Sequence, residues 1–492
     1  MRPRAAFATR FVLPVALVDL VVLIALGNRY GYHRDELYFR AAGRDPAFGY
    51  DDQPGLTPLI GRLSEALFGD TPRGLRVASA VAMALVVVLI ALLARELRAG
   101  AGAQFLAAVC AGVSAMVLLA GHLLSTETFD VLVWAVVVVL VARLLDGGDP
   151  RLWLAVGATV GVGLENKHLP LLLVAALLVG LALDRRLVPV LRSPWVWAGA
   201  GIALLFWMPN LTWQAAHGWP QLELAGQISH DEGGENRAML VPLQFLLIGP
   251  PLAPVWIAGL VALLRHRDLR PWRPLGTAYL VLLVTLFVLG GKGYYAAPLL
   301  LCLLAPGAIV VERWSAGRSL RRALLIVAVV LSAASSAVIA LPLVPVDRLT
   351  DTPIPDVNEE ASETVGWPEL VRTVARVRQS LPAAERHRAV VFTENYGEAG
   401  AIDRFGPALG IPRAYSGHNA YWRFGKPPDD AAPVIVLGYQ SEPPDFVGCR
   451  RAATVDDRVG VENEEQGGAI WVCARPELPW SRLWPRLRHL DA

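Results

Sequence analysis

Asp35 and Glu36 stand side by side in Tyr30-Gly31-Tyr32-His33-Arg34-Asp35-Glu36-Leu37-Tyr38-Phe39, directly after a long apolar run. Consecutive residues of a helix diverge by about 100° around its axis, so the two carboxylates cannot both face one atom. One acid would act and its neighbour would orient it. The structural alternative is a helix start, where acidic side chains complement the macrodipole. A second acidic group follows in Gly49-Tyr50-Asp51-Asp52-Gln53-Pro54-Gly55, with Asp52 as a turn former or supporting acid. A third lies in Ser125-Thr126-Glu127-Thr128-Phe129-Asp130, whose spacing puts Glu127 and Asp130 on one helical face behind a Ser125 cap. Carboxylates at the end of a membrane span are expensive and mark substrate pathways.

Lysine is scarce, occurring only as Lys167, Lys292 and Lys426. Lys167 in Glu165-Asn166-Lys167-His168 and Lys292 in Gly291-Lys292-Gly293-Tyr294-Tyr295 fall at turns between closely spaced apolar segments. A compact ammonium there can neutralise a lipid phosphate, and snorkelling at the interface is the plain alternative. No His or Cys spacing fits a dedicated zinc site, although Asp35 and Glu127 can recruit a hard divalent cation, Mg or Mn, around a phosphate. The Gly-x-Ser-x-Gly elbow of serine hydrolases is absent.

The elements that must hold these residues are membrane helices. Hydrophobic residues make up 54% of the 492 and charged residues only 18%, and the mean hydropathy is +0.44. Soluble surfaces need about 25% charged residues. Apolar runs predict about eleven spans, near 11–28, 76–97, 103–121, 127–145, 151–165, 168–184, 195–213, 240–264, 275–291, 294–312 and 322–344. Arg2, Arg4, Arg10, Arg95, Arg98, Arg143, Arg185 and Arg186 fall on one side if the N-terminus is cytoplasmic, as do Arg265, Arg313 and Arg322, which the positive-inside rule favours. An odd number of spans then exports the C-terminal tail. The first run also fits a cleaved signal peptide, and either way the Asp35-Glu36 loop is outside. A net charge of +2, with the basic residues spent on topology, argues against a nucleic-acid partner.

The division predicted is a membrane domain, 1–344, with a long first extracytoplasmic loop, 29–75, and a soluble extracytoplasmic α/β domain, 345–492. Long structured loops carry function. Within the first loop, apolar positions 56, 59, 60, 63 and 67 follow helical spacing and predict a helix lying in the membrane interface. A second exported loop near 213–239 mixes Trp213, His217, Trp219, His230 and Arg237. In the tail, a stripe of Leu370, Val371, Val374, Val377 and Leu381 predicts a helix, and three short apolar runs, at 389–392, 434–437 and 470–473, predict strands. Cys449 and Cys473, both in the tail, can pair there.

These segments together resemble glycosyltransferase family 39, the protein O-mannosyltransferase and aminoarabinose-transferase group of the GT-C superfamily. The resemblance rests on His33–Phe39, on Gly49–Leu59 with Gly55 where a second Pro is usual, and on Gly163–His168. It extends to Pro209–Gln214 with His217–Pro220 and to Gly293–Pro298. It implies a GT-C-like bundle in the cell's inner or plasma membrane that moves a sugar from a polyprenyl-phosphate donor to a glycan, lipid or protein acceptor, normally with inversion. Asp35 matches the family's catalytic acidic position, with Glu36 beside it. Glu127 or Asp130 matches the second acid, and Arg34, Lys167, His168, Arg237, Lys292, Tyr294 and Tyr295 are the candidates for the donor phosphate. The tail segments Asn395–Ala401 and Tyr415–Asn419 look like those of bacterial relatives and carry no defined role. A lipid-linked sugar transporter or flippase would show internal repeats, and none is visible. A membrane-anchored binding protein would leave the long first loop unexplained.

Overall fold

The structure, a computed structural model, describes residues 4–491. Arg2 of the topology argument lies outside them. The chain packs into two compact units. The first comprises 1–27, 53–57 and 76–341, and the second comprises 28–52, 58–75 and 342–492. This division departs from one drawn at residue 344, because most of the long first loop belongs with the tail.

The first unit is helical. Among the described residues, five helices are long and apolar enough to cross a membrane: Thr9–Leu26, Pro72–Glu96, Thr126–Leu145, Arg267–Leu289 and Ser319–Ala340. Three bent pairs raise the number to eight: Ala101–Gly112 with Ala115–His122 (55°), Gly233–Ile248 with Pro250–Arg265 (87°), and Gly293–Cys302 with Leu304–Ser315 (49°). The eleven spans expected from hydropathy are therefore not all matched by helices of spanning length. Leu152–Leu164 and Pro170–Leu183 have 13 and 14 residues, about 20 Å of helix against an apolar core of about 30 Å. A third helix, Pro194–Ala216, contains Pro209.

The breaks have local causes. Ser114 caps the second half of the first pair by accepting from Val117 N at 3.4 Å, and Pro250 and Pro251 remove two backbone donors at the sharpest bend. Small residues bring helices into contact: a Cβ on Gly157 would collide with the backbone of Gly199, the close approach that membrane helices favour. Leu17, Val18 and Val21 on the first helix and Leu324, Ile326 and Val330 on the last are exposed, an apolar outer surface suited to lipid.

The second unit is built on a five-stranded sheet ordered β2-β1-β3-β6-β5. The strands are β1 (Val390–Thr393), β2 (Ala414–Ser416), β3 (Val434–Leu437), β4 (Phe446–Val447), β5 (Arg450–Thr454), β6 (Ala469–Cys473) and β7 (Arg475–Pro476). Strands β2, β1 and β3 run parallel, whereas β6 and β5 join antiparallel. All four residues of β3 are buried, the continuous apolar run expected of a strand covered on both faces. The expected helix forms as Trp367–Gln379 and buries Leu370, Val371, Val374 and Val377. Cys449 and Cys473 form a disulfide, and Phe392, Phe446, Trp480 and Trp484 fill the core around it.

Two loop helices complete this unit. Arg34–Arg44 packs on Tyr396–Phe405, and small residues make the approach possible: a Cβ on Gly400 would lie 2.8 Å from the Leu37 Cβ, and one on Gly397 would lie 3.0 Å from the Arg34 Cβ. The other loop helix, Leu56–Phe68, leaves Leu59, Leu63, Leu67 and Phe68 exposed.

Candidate functional site

Asp35 and Glu36 open the helix Arg34–Arg44, and they diverge as their spacing requires. Glu36 is fully buried and turns back to accept from His33 N at 2.9 Å, while His33 Nδ1 accepts from Asp35 N at 3.2 Å. This is a reciprocal capping box, with His33 in the place of the usual Ser or Thr. Asp35 is half-buried and points elsewhere: its Oδ1 accepts from the Tyr396 hydroxyl at 2.8 Å. The flanking basic residues pair with acids of the tail. His33 Nε2 pairs with Glu360 at 2.8 Å, and Arg34 pairs with Glu464 at 2.8 Å while its guanidinium lies 5.1 Å from the Tyr396 ring centre.

The next acids of the loop separate in role. Asp51 is fully buried and bound by two tail arginines, Arg423 at 2.9 Å through its terminal nitrogen and Arg488 at 3.2 Å. Asp52 accepts from the Tyr38 hydroxyl at 2.5 Å, and that hydroxyl in turn accepts from Ala420 N at 3.3 Å. Burial pushes the Asp52 carboxyl up to about 7, against the pull of the Tyr38 hydrogen bond. Tyr38 also lies 4.7 Å from Tyr396, ring centre to ring centre. Asp35, Tyr396, Tyr38 and Asp52 thus form one continuous polar and aromatic cluster within the second unit.

A second grouping lies within the first unit. Lys167 pairs with Glu127, and its ammonium sits 4.9 Å from the Tyr295 ring centre and 5.8 Å from that of Tyr294. Four residues proposed from three distant sequence segments therefore meet. The Glu127 carboxylate raises the Lys167 pKa despite burial, so the lysine stays charged. Asp130, one helical turn beyond Glu127, is buried. The segment is held from below by Asn166, which donates to Thr126 O at 2.8 Å and meets the Thr57 hydroxyl, while Leu56 N donates to Glu165 O at 2.9 Å.

Other donor-phosphate candidates are engaged differently. His168 Nε2 accepts from the Trp207 indole at 3.2 Å and lies 3.1 Å from the Asn210 side-chain oxygen. Arg237 donates to the carbonyls of Gly233, Phe287 and Val288 at 2.8, 2.9 and 3.3 Å, satisfying the exposed end of the helix Arg273–Leu289. Lys292 pairs with Glu232 at 3.3 Å. Among the described residues, no group of three or more His, Cys, Asp or Glu side chains is arranged to hold a metal ion.

Tyr38, Tyr396, Arg423 and Arg488 are the residues that spacing alone did not single out. The pattern Asn395-Tyr396-Gly397-Glu398-Ala399-Gly400 was a visible signal, since its glycines allow a helix to approach another closely, but the partner lies some 360 positions away.

Residues 52–213 match the family model described as dolichyl-phosphate-mannose-protein mannosyltransferase, a segment that begins after Asp35 and Glu36. Two solved structures are similar over almost the whole chain. ArnT from Cupriavidus metallidurans bound to undecaprenyl phosphate matches with a TM-score of 0.62 and 16% identity, covering 94% of this chain and 98% of that one. The apo state of the same protein matches with a TM-score of 0.58 and 15% identity, covering 95% and 98%. No curated protein sequence matches. The chain therefore shares the ArnT fold over almost its whole length and carries, in residues 52–213, a segment similar to the dolichyl-phosphate-mannose-protein mannosyltransferase family.

Proposed function

We propose that this protein is a membrane glycosyltransferase of the GT-C type that moves a sugar from a polyprenyl-phosphate donor to an acceptor hydroxyl on the extracytoplasmic face of the inner or plasma membrane, with inversion, and that Asp35 is the general base. The observation that carries the base assignment is the partner of Asp35. Its carboxylate is held by a neutral phenol, Tyr396, whereas Asp51 is bound by two arginines and Glu36 is consumed by a helix cap. Asp52 is likewise held by a phenol, Tyr38, and Asp35 is preferred to it as the acid that the family resemblance puts at the catalytic position.

In the proposed step, the acceptor hydroxyl loses its proton to Asp35 as its oxygen forms a bond to the anomeric carbon, and the bond from that carbon to the phosphate oxygen breaks. The electron pair leaves with the polyprenyl phosphate. Attack from the face opposite the leaving group inverts the anomeric centre. Negative charge grows on the phosphate as it departs, and Lys167 is the cation assigned to it, with Glu127 fixing the ammonium and Tyr294 and Tyr295 flanking it. A lipid phosphate is favoured as the leaving group because the matched family model is described by a dolichyl phosphate donor and the similar ArnT structure contains undecaprenyl phosphate.

The test is transfer by the full-length protein in bilayer discs from a polyprenyl-phosphate sugar of known anomeric configuration, with the product's configuration read by NMR. Product of opposite configuration is expected. Retained configuration would overturn the single-displacement mechanism, and a failure to transfer from any lipid-phosphate sugar would overturn the donor class.

A further inference from the structure

We infer that Tyr396, contributed by the C-terminal tail, is a positioning residue for the transfer reaction: it fixes the Asp35 carboxylate so that one oxygen is committed and the other is presented to the acceptor. The inference rests on the assignment of Asp35 as base and gives the tail a part in the reaction.

The Tyr396 hydroxyl donates to Asp35 Oδ1 at 2.8 Å. A carboxylate on a short side chain at a helix N-terminus would otherwise rotate, and one strong directional hydrogen bond removes that freedom. The phenol itself is immobilised on several sides. Its ring centre lies 4.7 Å from that of Tyr38 and 4.6 Å from that of His418, and the Arg34 guanidinium lies over it at 5.1 Å. Its backbone N–H donates to His418 Nδ1 at 3.3 Å.

The helix that carries Tyr396 is fixed at its start, since Asn395 caps it by accepting from Glu398 N at 2.9 Å. Gly397 and Gly400 then let this helix lie directly against Arg34–Arg44. Burial and the neighbouring Asp35 charge hold the phenol well above its usual pKa, so it remains a donor rather than a competing base. Every contact of this arrangement directs the hydroxyl at the carboxylate, and removing the hydroxyl alone leaves the ring packing in place.

The experiment compares the full-length parent, Tyr396→Phe, Asp35→Asn and the double variant in bilayer discs, reading kcat and the donor KM for a polyprenyl-phosphate sugar together with the thermal midpoint. Tyr396→Phe is expected to lower kcat by about tenfold to a hundredfold, the worth of a hydrogen bond to a charged group, with donor KM and midpoint unchanged. In the Asp35→Asn background the same substitution is expected to cause no further loss, because its effect passes through the carboxylate. A merely structural role would reduce the folded fraction equally in both backgrounds. Parental kcat in Tyr396→Phe with a crippled Asp35→Asn would overturn this inference alone, as would an equal loss in both backgrounds. Full activity in Asp35→Asn would overturn the base assignment and this inference with it.

Discussion

At the scale of single residues, each of the two groupings is organised by which acid is neutralised and by what. Asp51, Glu127 and Asp35 are all carboxylates near apolar surroundings, yet one is bound by two arginines, one by a lysine and one by a phenol. On the proposed reading, that difference separates anchoring, charge placement and proton transfer. For Lys167 it yields a distinguishable expectation. Lys167→Met leaves the Glu127 carboxylate unpaired and removes the phosphate cation, so both the thermal midpoint and apparent donor affinity should fall. Adding Glu127→Gln removes the unpaired charge and should restore the midpoint while donor KM stays raised. Donor KM at the parental value in Lys167→Met, measured by titrating the lipid-linked sugar, would contradict the phosphate assignment. The identity of Lys167 and Glu127 as noteworthy residues was legible from lysine scarcity and from the cost of acids at a span end. Their pairing was not, because 40 positions and intervening helices separate them.

At the scale of elements, the contact between Arg34–Arg44 and Tyr396–Phe405 decides whether Asp35 has its partner. The helix–helix approach depends on the missing side chain at Gly400, where a Cβ would meet the Leu37 Cβ, carbonyl carbon and oxygen at 2.8, 2.9 and 3.0 Å. Gly400→Val should therefore separate the helices, with a stability loss of about 1–3 kcal/mol from overpacking and a lower kcat. Differential scanning of the full-length protein and the transfer assay check both parts, and unchanged values in both would contradict the packing account. The existence of many elements was readable from periodicity: the stripe at Leu370, Val371, Val374 and Val377 is buried, and Val434–Leu437 forms its strand. The lengths of the membrane helices were less readable. Hydropathy registers an apolar run without recording the Ser114 cap that breaks one, whereas Pro250 and Pro251 are a readable signal of the kink found between Ile248 and Arg265.

At the scale of the whole molecule, the long first loop packs as part of the tail's unit, and the residues that make this so, Tyr38, Gly400, Arg423 and Arg488, carry no local signal of their partners. The same unit stores pH sensitivity. Burial raises the carboxyls of Asp52 to about 7 and Glu465 to about 8, and it also raises those of Glu363 and Glu398. An acid whose folded pKa lies above its unfolded value of about 4 binds more protons when folded, so stability falls as pH rises across that interval. The thermal midpoint should decline between pH 5.5 and 8.5, and Glu465→Gln should raise it more at pH 8.5 than at pH 5.5. An equal effect at both values would contradict the assignment of a raised carboxyl.

The central claim is that Asp35 takes the acceptor's proton. Its most direct test is the rate of sugar transfer from a polyprenyl-phosphate donor by the parent and by Asp35→Asn, each full-length in bilayer discs, with donor binding measured alongside. Loss of a general base predicts a fall in kcat of about a hundredfold to ten-thousandfold with donor binding retained. Equal rates in the two proteins would contradict it.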